Sequence, residues 1–283
     1  VEIALAEALS ALLPRIPEAF RGAVQHGVTS GGKRLRPILC VTAYHASGGR
    51  EEGIYPLGVS LELIHAYSLM HDDLPCMDDA DLRRGEATTH ILHGEGPTTV
   101  AGALLIPGAA LHAYEAAQGL ELPETACSRL VVELCQAAGG GGMVGGQVLD
   151  LLGEDLDLTA PQLNDLHRRK TGALLRASLR MGGIAAGVDA ATLHGLDRYG
   201  EAIGLAFQIA DDLLDATSSA QELGKNPSDA ELGKSTYVSL FGVEEASRKA
   251  KDLVLAAEEA LIQTGLESPE LVALARYIVE RKR

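Results

Sequence analysis

The chain has no tryptophan, only three phenylalanines and seven tyrosines among its 283 residues. A sandwich or barrel relies on aromatic and β-branched side chains to fill its pleated faces, so this scarcity argues against one. Positive charge is also in short supply. Lys and Arg total 24 against 39 Asp and Glu, a formal net charge of −15, and such a surface repels nucleic acid and anionic lipid alike. Neither is expected as a partner. Cysteine is sparse: Cys40, Cys76, Cys127 and Cys135 form no C-x-x-C pair. They are expected as reduced thiols packed like small hydrophobes, in a reducing, cytoplasmic setting. A long apolar run is missing too. The longest, VAGALLIPGAAL over 100–111, is interrupted by Pro107, so no membrane insertion is expected. No secretory leader is visible, although the chain begins at Val1 rather than Met.

What is present is helical. The residues are 46% hydrophobic and 22% charged, a globular balance rich in Ala and Leu. Apolar spacing predicts helices over 1–13, 17–28, 37–46 and 55–73, then near 98–118, 123–138, 161–185, 190–216, 243–264 and 268–282. Pro14, Pro37 and Pro75 punctuate the first of these. No segment alternates with period two, so no substantial sheet is expected. The breaks are short, at 47–53, 84–97, 153–160, 186–190 and 217–236, and none resembles a linker. The reading is a single all-α domain, 1–283.

Two acidic clusters stand out. HDDLPCMDDADLRRG (71–85) places Asp72, Asp73 and Asp78 at the end of the long helix and in the loop after it. QIADDLLD (208–215) carries Asp211, Asp212 and Asp215 inside an apolar helix, with Gln208, Asp211 and Asp215 on one face. Carboxylates so close raise each other's pKa unless a cation sits among them. Oxygen donors with no His–Cys set suit a hard cation, Mg²⁺ above all. Basic residues gather beside them in an otherwise acidic chain. GGKRLRP (31–37) offers Lys33, Arg34 and Arg36 at a helix start, and Arg83-Arg84, Lys170, Lys225 and Lys234 lie near the clusters. That combination suits a polyphosphate ligand. A Walker A loop is not the means, because GGGGMVGGQ (139–147) lacks G-K-[ST]. Those glycines read as close helix packing or a hinge, with Gln147 and Asp150 as possible cavity residues. His65 is either a core histidine or, two turns before Asp72, a site residue.

GGKRLRP, LIHAYSLMHDDLPCMDDADLRRG, GGQVLD, KTGALL, FQIADDLLD and LGK…GKSTY occur in an order that resembles the trans-isoprenyl diphosphate synthases, and most closely the bacterial farnesyl diphosphate type. The resemblance implies an isoprenoid-synthase-type bundle of mostly antiparallel helices around a central cavity, usually a homodimer. Its substrates would be allylic and isopentenyl diphosphates, and roughly three Mg²⁺ ions would bind with the allylic diphosphate. Asp72, Asp78 and Asp211 match metal ligands, with Asp73, Asp212 and Asp215 acting through water or from behind. Lys33, Arg36, His65 and Arg84 match the isopentenyl diphosphate site. Arg83, Lys170, Lys225 and Lys234 match the allylic diphosphate site, and Thr171 and Gln208 lie near the reacting carbons. A catalytic role falls to Asp72, Asp78, Asp211, Lys170, Thr171 and Gln208.

Chain length has its own residues. A helix rises about 5.4 Å per turn, roughly one isoprene unit. Ser68 is one turn before Asp72, and bulky Tyr67 beside it would stop elongation early, favouring a C15 product over C20. Three departures from the family pattern occur: AGALL (101–105) lacks the usual aspartate, the 223–234 loop is short, and Glu86 is acidic. A terpene cyclase leaves GGKRLRP unexplained. A non-catalytic partner subunit tends to lose one acidic cluster, and both are here.

Overall fold

Apolar runs at three- and four-residue spacing become helices nearly where that spacing places them. The computed structural model describes residues 1–154, 156–217 and 235–281. The helices are α1 (Glu2–Leu12), α2 (Glu18–Thr29), α3 (Leu35–Ala46), α4 (Ile54–Asp72), α5 (Thr89–His93), α6 (Glu95–Gly119) and α7 (Glu124–Ala138). Then come α8 (Met143–Leu152), α9 (Ala160–His167), α10 (Ala173–Ala185), α11 (Ala190–Thr217), α12 (Tyr237–Thr264) and α13 (Pro269–Glu280). Among the described residues the sheet is one two-residue hairpin, β1 (Leu82–Arg83) with β2 (Glu86–Ala87). The all-α reading holds.

The differences have local causes. The helix expected over 161–185 is interrupted by a π-turn, Arg168–Gly172, between α9 and α10. Such wide turns inside helices often mark functional positions, and this one carries Lys170 and Thr171. The glycine-rich stretch yields the unexpected α8. Its glycines serve close packing: a Cβ on Gly146 would lie 2.1 Å from the Lys170 backbone nitrogen. α12 begins before 243 and breaks at Gly242, whose φ of 77° excludes helical geometry. Two of the four cysteines, Cys76 and Cys135, are exposed rather than packed.

The chain forms two compact units, one from Val1–Val41 and Glu51–Val132, the other from Thr42–Arg50 and the described residues from Glu133 onward. In the first, α4 is apolar nearly all round and is therefore buried. Leu57, Val59, Leu61, Leu63, Ile64 and Met70 have at most 2% exposure. Each such side chain contributes roughly 1.5–3 kcal/mol on burial. α6 packs on it through Ala101, Leu105, Ala109 and Ala113, while Val100, Ile106 and Leu111 stay exposed. By length and composition α6 could cross a membrane, with mean hydropathy 1.2 over an 18-residue window. The expectation that no segment is long enough is corrected to that extent: Pro107 does not break the helix. A core helix passes the same test, and α6 has a core face.

In the second unit α11 packs on α10, α12 and α13. Gly204 meets the Gly172 Cα at 3.0 Å from its would-be Cβ, which brings α11 against the π-turn. Leu163, Ile209, Tyr237, Ala246 and Ala250 form a core beneath it. Tyr199 donates to the Leu271 carbonyl at 2.7 Å, fixing α13 to α11.

Candidate functional site

In the first unit the candidate residues collect where α4 ends. Asp72 closes the helix and Asp73 is its C-cap. The loop then folds back. Asp78 donates its N–H to the Asp72 carbonyl at 2.9 Å, and Asp79 turns into the left-handed region at φ 47°. Asp72 and Asp78 are thereby half-buried neighbours. Asp73 is different. It is 3% exposed and ion-paired with Arg83 at 2.7 Å. Burial lifts its carboxyl above the usual range, Arg83 works against that lift and Asp78 adds to it. Asp73 and Arg83 thus hold each other.

A cationic group surrounds His65. Burial first, then Arg36, Arg84, Arg83 and Arg34, push its pKa well below the ordinary value, so the ring is neutral. Its Nδ1 is buried with no hydrogen-bond partner. A buried polar atom without a partner calls for an explanation, and the arginines around it favour an anion there. Arg84, at φ 56°, reaches the Gly31 carbonyl, and its guanidinium occupies the space a Gly32 Cβ would fill. Glycine is needed at 32 for this approach, while Gly31 is needed for its φ of 77°. Arg34 points elsewhere: it is 9% exposed and bonds buried Glu62 at 2.7 Å and Glu2 at 2.8 Å. Arg34 thereby helps hold the fold.

Tyr67 is 5% exposed. Its ring stands edge-on to His71 at 5.7 Å, and burial and then Asp72 push its hydroxyl pKa up to about 12. His71 is bonded to the Thr99 carbonyl at 3.0 Å and fills the place of a Gly102 side chain. Its role is structural. Ser68 donates to the His65 carbonyl at 2.9 Å. Ala103, in AGALL, is exposed, so a missing carboxylate there leaves no hole in the core.

The second unit carries the other half of the predicted set. Lys170, in the π-turn, pairs with Asp150 at 2.5 Å. Thr171 donates to Gln208 Oε1. Gln147 is 9% exposed and both ends of its amide are buried without a partner among the described residues. On α11, Asp211 and Asp215 are half-buried while Asp212 is 5% exposed. Asp212 accepts the Tyr237 N–H at 2.7 Å and so anchors the start of α12. Asp211 pairs with Arg281 at 2.5 Å, a partner the motif reading did not name. Lys225 and Lys234 lie outside the described residues.

Among the described residues no group of three His, Cys, Asp and Glu side chains is drawn together as a metal cage. Mg²⁺ does not require one, since it takes one or two carboxylates and completes its shell with water and substrate phosphates. In each unit the half-buried, oxygen-only donors, Asp72 and Asp78 in the first and Asp211 and Asp215 in the second, have the chemistry such an ion takes.

The fold is all-α and carries two acidic motifs with basic residues on neighbouring elements. The polyprenyl synthetase family model matches residues 17–265. Farnesyl diphosphate synthase of Escherichia coli (strain K12) is 42% identical over 268 residues, covering 92% of this chain and 88% of that protein. Geranylgeranyl pyrophosphate synthase 12 of Arabidopsis thaliana is also 42% identical, covering 95% and 76%. Geranyltransferase of Helicobacter pylori, crystallised with magnesium and isoprenyl diphosphate, superposes with a TM-score of 0.81 at 30% identity, covering 97% and 94%. The chain belongs to the polyprenyl synthetase family and is an enzyme, a short-chain trans-prenyl diphosphate synthase.

Proposed function

We propose that this enzyme condenses isopentenyl diphosphate with dimethylallyl or geranyl diphosphate and stops at farnesyl diphosphate. Both acidic motifs serve one reaction in one catalytic domain spanning 1–283. Lys33, Arg36 and Arg84 hold the isopentenyl diphosphate, and neutral His65 offers a ring nitrogen to it. Arg83 and Lys170 hold the allylic diphosphate, already oriented by Asp73 and Asp150; Lys225 and Lys234 join them. Asp72, Asp78, Asp211 and Asp215 would hold Mg²⁺, while Asp73 and Asp212 would act as supports. Bound Mg²⁺, as in the crystallised Helicobacter relative, would supply Lewis-acid stabilisation of the leaving oxygens.

Charge explains the arrangement. Breaking the allylic C–O bond leaves negative charge on diphosphate, which the lysines and arginines stabilise without reorganising. The positive charge left on carbon meets the oxygens of Thr171 and Gln208. The isopentenyl double bond attacks that carbon and a proton leaves. The product limit rests on one observation: Tyr67, five residues before Asp72 on α4, is buried and held edge-on to His71. The exposed apolar face of α6, with Val100, Ile106 and Leu111, is the surface through which two copies would associate as a homodimer. The setting is cytoplasmic in this reading.

The experiment is a product assay with Mg²⁺, isopentenyl diphosphate and either primer, the alcohols being sized by mass spectrometry after dephosphorylation. A C15 product that vanishes in Asp72→Ala supports the proposal. A C20 product, as the geranylgeranyl-named relatives would suggest, removes Tyr67 as the limit and keeps the chemistry.

A further inference from the structure

Arg281 follows α13, and its side chain is only 3% exposed. Its Nη2 donates to Asp211 Oδ1 at 2.5 Å and to the Phe207 carbonyl at 3.4 Å. The guanidinium lies 3.8 Å from the centre of the Phe207 ring. Carboxylate, carbonyl and π-face all come from one turn of α11, so this turn is built to receive a desolvated cation. The Asp211 side chain is 38% exposed, so the clamped carboxylate still reaches solvent.

A divalent cation on the same carboxylate would face the guanidinium at close range, and like charges there repel. We infer that Arg281 is a positioning residue for the second acidic motif, holding Asp211 until a divalent cation arrives with diphosphate and displaces it. This rests on the reading of Asp211 as a metal ligand. Binding of metal alone is then disfavoured, because the released guanidinium has lost its carboxylate. Diphosphate removes the penalty by giving that cation a new anion. Metal and diphosphate binding become positively coupled through one arginine.

Mn²⁺ titration of the full chain, followed by electron paramagnetic resonance with and without inorganic diphosphate, tests this. Arg281→Met keeps an apolar cover on Phe207 and should bind Mn²⁺ alone roughly three- to tenfold tighter, with a smaller gain when diphosphate is present. Phe207→Leu loosens the clamp without touching a charge, should tighten binding by an intermediate factor, and serves if Arg281→Met does not fold. In an Asp211→Asn background the Arg281→Met gain should vanish. Unchanged or weaker Mn²⁺ binding in either folded variant overturns the inference, and so does a gain that survives Asp211→Asn. Prenyl transfer by the wild type, measured alongside, separates the two readings. Absence of product with the Mn²⁺ shifts intact would defeat the proposed function and leave the role of Arg281 standing.

Discussion

Replacing Tyr67 by alanine tests the product limit and the packing argument together. The side chain is 5% exposed and its ring packs on His71, which is itself held by the Thr99 carbonyl. Truncating a buried aromatic to alanine costs roughly 3–5 kcal/mol. In a chain of this size that lowers Tm by roughly 6–20 °C. Tyr67 lies five residues before Asp72 on α4, and one helical turn of about 5.4 Å corresponds to one further isoprene unit. Once the clash is gone, C20 should exceed a minor share, since each 1.4 kcal/mol of relieved repulsion shifts the product ratio about tenfold. The assay compares wild type, Tyr67→Ala and Tyr67→Phe at a temperature well below the lowest Tm. Tyr67→Phe keeps the ring and should keep the wild-type product. A folded, active Tyr67→Ala enzyme with an unchanged product ratio would refute Tyr67 as the stop.

Three further outcomes are expected. Glu62→Leu strands the Arg34 guanidinium, 9% exposed, beside the remaining Glu2; breaking a buried pair on one side should cost about 3–5 kcal/mol in urea unfolding. Gly102→Ala places a Cβ 2.2 Å from His71 Nε2, and such overpacking should cost about 1–3 kcal/mol while loosening the support of Tyr67. Burial lowers the His167 pKa to about 4 from 6.5, so the unfolded chain binds the extra proton between those values. Stability from this group is therefore present above pH 6.5 and is lost as pH falls towards 4, on the order of 2–3 kcal/mol by pH 4.5. His167→Phe, stacked on Tyr237 in the same place, should flatten that part of the urea-stability profile; an unchanged slope would remove His167 as its source.

Composition and periodicity alone determined the helical class, because a chain poor in aromatics with apolar residues every three or four positions can bury them only as helices. Motif order likewise determined the family, because six short motifs in one fixed order leave few alternatives. What spacing could not determine is which charge faces which partner. Arg34 and Arg36 are two residues apart, yet Arg34 takes a positive φ and turns to Glu62. Adjacent Asp211 and Asp212 differ by 100° around α11, enough to send one to Arg281 and the other to the Tyr237 N–H. The π-turn was equally hidden, because its wider winding is imposed where Gly146 and Gly204 let α8 and α11 press against it. Sequence sets which groups are present and their order along a helix. Tertiary packing chooses among nearly equal rotations and pairings, because those choices turn on contacts between residues far apart in the chain.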